Sequence, residues 1–127
     1  MRIAAPSALF LLACLSAPSP AADEAAPVPG ERSPGDMTVE ERAAMMKSTN
    51  DYNNCVYQKA IAKVDSEADI RRIADGALGD CEPTLETLRG QIRGWKFPEY
   101  FATGFARTVR DRAARNILPE LATRKGN

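Results

Sequence analysis

Histidine is absent from this 127-residue sequence. Because histidine is the commonest general base and the commonest protein metal ligand, its absence excludes Ser-His and Cys-His nucleophile systems. Glycine-rich phosphate loops are missing too, since Gly76 and Gly79 fall within a helical pattern and are better explained by close helix packing. No arrangement of nucleophile, base and orienting group can be read from the other residues, so the sequence predicts a protein that is not an enzyme.

Cysteine is scarce, and Cys55 and Cys81 are the two that lie beyond the N-terminal region. Structural metal sites need four ligands at short spacings, and redox pairs usually follow a Cys-x-x-Cys pattern, so neither fits two cysteines this far apart. The stretch DYNN at residues 51–54 lacks the glycine and the distal glutamate of a calcium-binding EF-hand. We therefore predict a structural disulfide between these cysteines, no metal site and no cofactor.

The N-terminus combines a positive charge, an apolar run and a group of small residues. Arg2 precedes an apolar run over residues 3–17, and this order is typical of a secretory signal peptide. Cleavage is expected after Ala21 or Ala22. The run is shorter than the ~20 apolar residues that a membrane-spanning helix needs, so residues 1–22 are predicted to be removed on export.

The segment LLAC at residues 11–14 also resembles a bacterial lipoprotein box, in which the cysteine becomes the lipidated first residue. Little sequence precedes Cys14, which leaves too few residues for both a charged region and an apolar region of ordinary length. Lipidation at Cys14 is therefore the alternative to simple cleavage. In either case this cysteine does not belong to the folded domain.

Residues 23–37 are rich in proline, glycine, alanine and charge, and they are predicted to form a flexible linker. Residues 38–127 then form one helical domain with a small core, for which a covalent link matters. Closing the loop between Cys55 and Cys81 is expected to stabilise this domain by about 3.5 kcal/mol. Disulfides persist in oxidising compartments, which agrees with export to the periplasm or to the medium.

Apolar residues recur at helical spacing through the first half of the domain. Thr38 and Glu41 form the sequence pattern of a capping box, and a first helix is predicted from about Val39 to Val64. A second, antiparallel helix is predicted to begin at Asp65 or Ser66. The two buried stripes are predicted to be Met45, Thr49, Tyr52, Val56, Ala60 and Val64, and Ile70, Ile73, Ala74, Ala77, Leu78 and Cys81.

A chain reversal near residue 65 leaves the two cysteines at different levels of the helix pair. The difference is about 9 Å for straight helices with a rise of about 1.5 Å per residue. Helix tilt or a later reversal must remove this difference if Cys55 and Cys81 are to form a disulfide.

Prolines and glycine divide the second half of the domain. Pro83 is predicted to kink or restart the second helix, which continues to about Arg93 and stops at Gly94. Pro98 suits the first turn of a third main helix, and Pro119 is predicted to end it. The inner stripes are predicted to be Leu85, Leu88 and Ile92, and Phe101, Phe105, Val109, Ala113 and Asn116. The predicted fold is all-α, a three- to four-helix bundle with one interhelical disulfide.

The segment WKFPEYFATGF at residues 95–105 holds five of the eight aromatic residues. In the simplest interpretation, Phe101 and Phe105 face the core while Trp95 and Phe97 cover the end of the bundle. In the alternative, part of the segment is exposed beside arginines and anchors a partner, which is the usual composition of a binding hot spot. The candidate partner-binding residues are Trp95, Phe97, Tyr100, Arg107 and Arg110.

Charge is distributed unevenly along the chain. Residues 23–86 carry 14 acids and 7 bases, whereas residues 87–127 carry 3 acids and 9 bases. The arginines of the third main helix do not form one stripe and the chain is near neutral, so nucleic acid is not a predicted partner. The basic third helix is expected to pack on the acidic first two, with Arg112 in an ion pair across the bundle. An acidic protein or an anionic headgroup is the alternative partner.

The pattern DYNNCV…IADGALGDCEPTLETL, within residues 51–88, combines a Tyr-x-x-Cys sequence with an alanine-rich helix that ends in a second cysteine. It resembles small uncharacterised secreted bacterial proteins with a two-cysteine helical hairpin. The resemblance implies a fold and no specific function.

Predicted export, a small rigid scaffold and the lack of a catalytic set together favour a protein-binding module of the cell envelope or the secreted fraction. Such modules include inhibitors, immunity proteins, virulence accessories and adaptors. A carrier of a small apolar ligand, a lipid-anchored envelope protein and an enzyme that uses carboxylates are the alternatives.

Overall fold

The computed structural model describes residues 28–126, and four α-helices account for most of them. The helices are α1 (Val39–Ile61), α2 (Ile70–Asp80), α3 (Glu82–Gly94) and α4 (Glu99–Lys125). A short 3₁₀ helix at Pro34–Asp36 precedes α1. The described residues contain no strand, and a disulfide joins Cys55 to Cys81, so the predicted small all-α bundle is confirmed.

Several predictions concern residues outside the described range. These are the signal peptide at residues 1–22, with its lipidation candidate Cys14, and the first part of the linker at residues 23–27. Within the described residues, no helix is both long enough and apolar enough to cross a membrane.

α1 begins at the predicted capping box. The Glu41 N–H donates to the Thr38 hydroxyl at 3.1 Å, and the Thr38 N–H donates to the Glu41 carboxylate at 2.9 Å. Two amide groups that a helix start leaves unpaired are thereby satisfied. Met45, Thr49, Tyr52, Val56 and Ala60 form the buried face of α1 as predicted. α1 ends at Ile61, however, before the predicted end at about Val64, and Val64 is only partly buried.

α2 begins at Ile70, so the predicted start at Asp65 or Ser66 is wrong. The Asp69 carboxylate caps this helix by accepting a hydrogen bond from the Arg71 N–H at 2.9 Å. A cap must accept from an amide two or three residues ahead. The Ser66 hydroxyl instead donates backward, to a carbonyl of the preceding turn.

The late start of α2 brings the two cysteines to the same level. Hydrogen-bonded turns continue the path of α1 from Ile61 to Glu67, so the chain reverses near Ala68. Cys55 and Cys81 are about equally far along the chain from this point, and their Cα atoms are 5.9 Å apart. The longer connection therefore removes the mismatch of about 9 Å expected from an earlier reversal.

α2 and α3 meet at Cys81, which ends one helix and precedes the other. Pro83 lies in the first turn of α3, where its missing N–H would have no helical partner, so it restarts the helix. Buried residues continue in phase across the junction: Ile73, Ala74, Ala77, Leu78, Cys81, Leu85, Leu88 and Ile92. The Ser48 hydroxyl of α1 donates to the Gln91 side chain at 2.8 Å. α2 and α3 therefore form one rod antiparallel to α1.

The turn between α3 and α4 is tight. α3 ends at Gly94 as predicted, and Lys96 adopts a left-handed backbone with a φ of 68°. Such a conformation costs a side-chain-bearing residue of order 1 kcal/mol. The Lys96 carbonyl accepts a hydrogen bond from the Arg32 N–H at 2.8 Å, which holds the turn in place. Pro98 then precedes the first helical residue of α4.

α4 runs through Pro119 to Lys125, so the predicted end at Pro119 is wrong. Pro119 has no N–H to donate to the Arg115 carbonyl, but both residues are exposed, and water can serve that carbonyl. On the other side of the helix, Leu121 is 0% exposed. Its burial offsets the lost hydrogen bond.

The buried face of α4 is rotated from the predicted stripe. Val109 and Ala113 are buried as predicted, but Asn116 is exposed and Phe101 and Phe105 are only partly buried. The inner positions are taken instead by Ala102, Ala106, Ile117 and Leu121. Alanine at the contact lets α4 approach its neighbours closely, while the phenylalanine rings pack along the edge.

Candidate protein-binding face

The structure divides the five predicted partner-binding residues into buried and exposed ones. Phe97 is 3% exposed, and its ring meets the rings of Trp95 and Phe101 edge-on, with centroids 6.5 and 5.8 Å away. Phe97 therefore belongs to the core and is not a surface contact. Trp95 is partly buried, whereas Tyr100 is 69% exposed and Arg107 is exposed.

Residues 32–37, which belong to the predicted flexible linker, pack against the helices. Arg32 donates to both carboxylate oxygens of Glu41, at 2.6 and 3.0 Å, and its guanidinium lies 4.7 Å from the centre of the Phe97 ring. The Arg32 hydrogen bonds hold the pKa of Glu41 below its ordinary value, helped by a backbone N–H at the helix start. Met37 is buried. A bidentate ion pair and one apolar side chain therefore fix this part of the predicted linker.

Arg110, the fifth candidate, is partly buried and pairs within the bundle. Its Nε lies 3.8 Å from a carboxylate oxygen of Glu82, which links α4 to α3. The prediction gave this ion pair to Arg112 and is wrong, because Arg112 is exposed and pairs with no acid among the described residues. Helical residues two positions apart point to nearly opposite sides, so only one of these arginines can face α3.

Tyr52 is the most buried phenol of the chain at 0% exposed. Its hydroxyl has no hydrogen-bond partner among the described residues, and burial raises the pKa of Tyr52. This phenol stays protonated and out of reach of a substrate. Within residues 28–126, acidic and cysteine side chains form no group that could hold a metal ion.

A shallow cleft of about 320 Å³ lies between the C-terminal halves of α1 and α4. Its buried apolar floor is formed by Val56, Ala113 and Ile117, and three asparagines, Asn53, Asn54 and Asn116, stand around it. The side-chain oxygen of Asn53 is buried and has no hydrogen-bond partner among the described residues. An unmade hydrogen bond of this kind costs about 1–3 kcal/mol, and solvent does not reach this oxygen.

A polar cluster closes one end of the cleft. The Arg124 guanidinium donates to the Tyr57 hydroxyl at 2.8 Å and to the Glu120 carboxylate at 2.7 Å. It also lies 5.9 Å from the centre of the Tyr57 ring. The negative charge of Glu120 is therefore already compensated within the protein.

The sides of α1 and α4 that line the cleft carry further exposed residues toward the N-terminal ends of the two helices. Met46, which is 51% exposed, precedes Asn53 by seven residues, or two helical turns, and so shares its side of α1. Phe105 has the same relation to Arg112 on α4 and is partly exposed. We call this surface the α1–α4 face, and it comprises Met46, Asn53, Tyr57, Phe105, Arg112 and Asn116.

The sequence analysis missed the α1–α4 face. It placed Asn116 and Phe105 in the core stripe, and it weighed Asn53 and Asn54 as possible ligands only in rejecting a calcium-binding loop. The available signal was a shared pattern of intervals. Met46, Asn53 and Tyr57 are separated by seven and then four residues, and Phe105, Arg112 and Asn116 are separated in the same way, so each set lies on one side of its helix.

Comparisons of the chain with protein-family models, with curated proteins and with solved structures found no match in any of the three. The function is therefore inferred from the geometry of the described residues.

Proposed function

We propose that this protein is exported and binds another protein through the exposed side of α4, with Tyr100 and Arg107 as central contacts. The observation that carries the proposal is the exposure of Tyr100, at 69%, on a helix whose other aromatic rings, those of Phe101 and Phe105, are partly buried. An exposed aromatic residue beside an arginine is the usual composition of a binding hot spot. The disulfide supports the oxidising compartment, either periplasm or medium.

The surface between the two contacts is open. Tyr100 and Arg107 are seven residues apart and so lie on one side of α4, with Gly104 between them. A Cβ atom at Gly104 would meet nothing within 4 Å. A partner can therefore approach the helix backbone closely between the aromatic and the cationic contact.

A small apolar ligand is less well supported by the geometry. A carrier of such a ligand encloses it in an apolar cavity, whereas the α1–α4 cleft is shallow and ringed by asparagines.

The proposal is tested by replacing the two contacts in the exported chain. We expect Tyr100→Ala and Arg107→Glu each to reduce recovery of a stoichiometric partner about tenfold, because each removes a central contact. Recovery is measured by quantitative mass spectrometry after crosslinking in the native envelope and affinity purification.

The matched control is Arg71→Glu, since Arg71 is exposed on α2 and forms no ion pair among the described residues. This variant should retain the partner at the level of the unaltered protein. Equal recovery with all variants, or no stoichiometric partner for the unaltered protein, would contradict the proposed function.

A further inference from the structure

We infer, resting on the proposed protein-binding function, that the α1–α4 face binds an acidic amphipathic helix of the partner, lying lengthwise between α1 and α4. This assigns a second contact surface, next to the Tyr100 side of α4, and states the chemistry of what it binds.

The shape of the bundle favours a helix as the occupant. Phe97, just before α4, lies under the segment that leads into α1, and Arg124 near the end of α4 bonds to Tyr57 near the end of α1. α1 and α4 therefore run in the same direction, with the α2–α3 rod antiparallel to both. The groove between two such helices is the position that a fourth helix occupies in a four-helix bundle, and amphipathic helices bind in grooves of this kind.

Exposed apolar residues mark the same groove. Met46 and Tyr57 are two of the five large apolar residues that are exposed within the described range, and they lie eleven residues, or three turns, apart on α1. Phe105 contributes a partly exposed ring on the α4 side, with its centroid 6.3 Å from that of Phe101. A partner helix with apolar residues at matching intervals would remove these side chains from water.

The charge on the two edges of the groove determines the polar side of the partner. Two exposed arginines without an ion pair among the described residues lie along the edges, Arg42 on α1 and Arg112 on α4. Glu120 is already paired with Arg124. Asp111 and Arg115, which are four residues apart, both lie farther around α4 from Arg112, toward Tyr100. The edges thus present positive charge, which acidic residues flanking the apolar stripe of a helix complement.

Exposed amides supply polar contacts at the rim of the cleft. Asn54 on α1 and Asn116 on α4 are exposed and line the cleft. These amides can donate to and accept from polar side chains of the bound helix, which fixes the position of that helix along the groove.

Selection from a peptide library tests the inference with a defined probe. The library consists of helical peptides of about 20 residues, with apolar residues at i, i+3, i+4 and i+7 and random Glu or Lys elsewhere. Selected on the oxidised, exported chain, the bound pool should be rich in Glu. The tightest peptide should bind Met46→Glu and Arg112→Glu about tenfold more weakly than the unaltered protein.

The control Gln58→Glu places the same charge on the outer, exposed side of α1, about 120° around the helix from Met46, and should leave binding unchanged. Each variant is first shown by thermal unfolding to melt within a few degrees of the unaltered protein. Failure of any peptide to be enriched, a pool without excess Glu, or equal binding to Met46→Glu overturns the inference. If a native partner is still recovered through Tyr100 and Arg107 in that case, the proposed function stands and only the acidic helix is excluded.

Discussion

Replacing Cys55 and Cys81 together with alanine is expected to lower the free energy of unfolding by about 3.5 kcal/mol. For a domain of this size that corresponds to a fall of roughly 15–25 °C in melting temperature. The bridge closes a loop across 26 positions and so restricts the unfolded chain, and Cys81 is fully buried where three helices meet. Urea and thermal unfolding, followed by circular dichroism, measure both quantities.

The control uses reductant on both proteins. Reducing the unaltered protein should lower its melting temperature by the same amount, whereas the same reductant should leave the melting temperature of the double-alanine variant unchanged. A shift of only a few degrees in the unaltered protein would show that the helices hold together without the bridge.

Leu121→Ala is expected to lower the free energy of unfolding by about 2–4 kcal/mol. Leu121 is fully buried because α4 continues beyond Pro119 and carries this side chain into the core. This loss of stability has two parts: the burial free energy of the removed methyl groups, which is no longer gained on folding, and the cost of the cavity that they leave behind. Urea unfolding at constant m-value is the measurement.

Leu118→Ala is the matched control, because Leu118 has the same chemistry but is only partly buried, one turn before Leu121. Leu118→Ala should lower the free energy of unfolding by clearly less than Leu121→Ala does. If α4 instead ended at Pro119, Leu121→Ala would change stability by no more than about 0.5 kcal/mol, as for an ordinary surface position.

The buried faces of α1, α2 and α3 were predictable because large apolar residues mark them. Tyr52, Val56, Ile73, Leu88 and Ile92 recur at helical spacing and are all buried. The phase of α4 was not predictable in this way, because its inner positions are largely alanines, which also occur on exposed helix faces. Phenylalanines therefore determined the predicted stripe, although close helix packing leaves them at the edge.

Pro119 and the start of α2 show two limits of local signals. A proline normally ends a helix, but burial of Leu121 on the far side of α4 is a tertiary effect that the local sequence does not contain. At the start of α2, Ser66 and Asp69 are both suitable caps by composition. Hydrogen bonding within the preceding turn uses Ser66, and only Asp69 is left to cap.

The proposed binding surface depends on contacts between distant parts of the chain. Tyr100 and Arg107 could be named from composition, and they are exposed. Phe97 could not be assigned to the core from its neighbours, because Arg32, which is 65 positions away, covers its ring. Met46 and Phe105 join one face only once α1 and α4 are placed side by side.

Export and oxidation of this chain are tested together, and most directly, by the intact mass of the protein purified from its native host under non-reducing conditions with free thiols alkylated. We predict a chain that begins after Ala21 or Ala22, carries no alkyl group, and weighs two hydrogens less than the dithiol form. A chain that retains residues 1–22 and is alkylated at both Cys55 and Cys81 would contradict this.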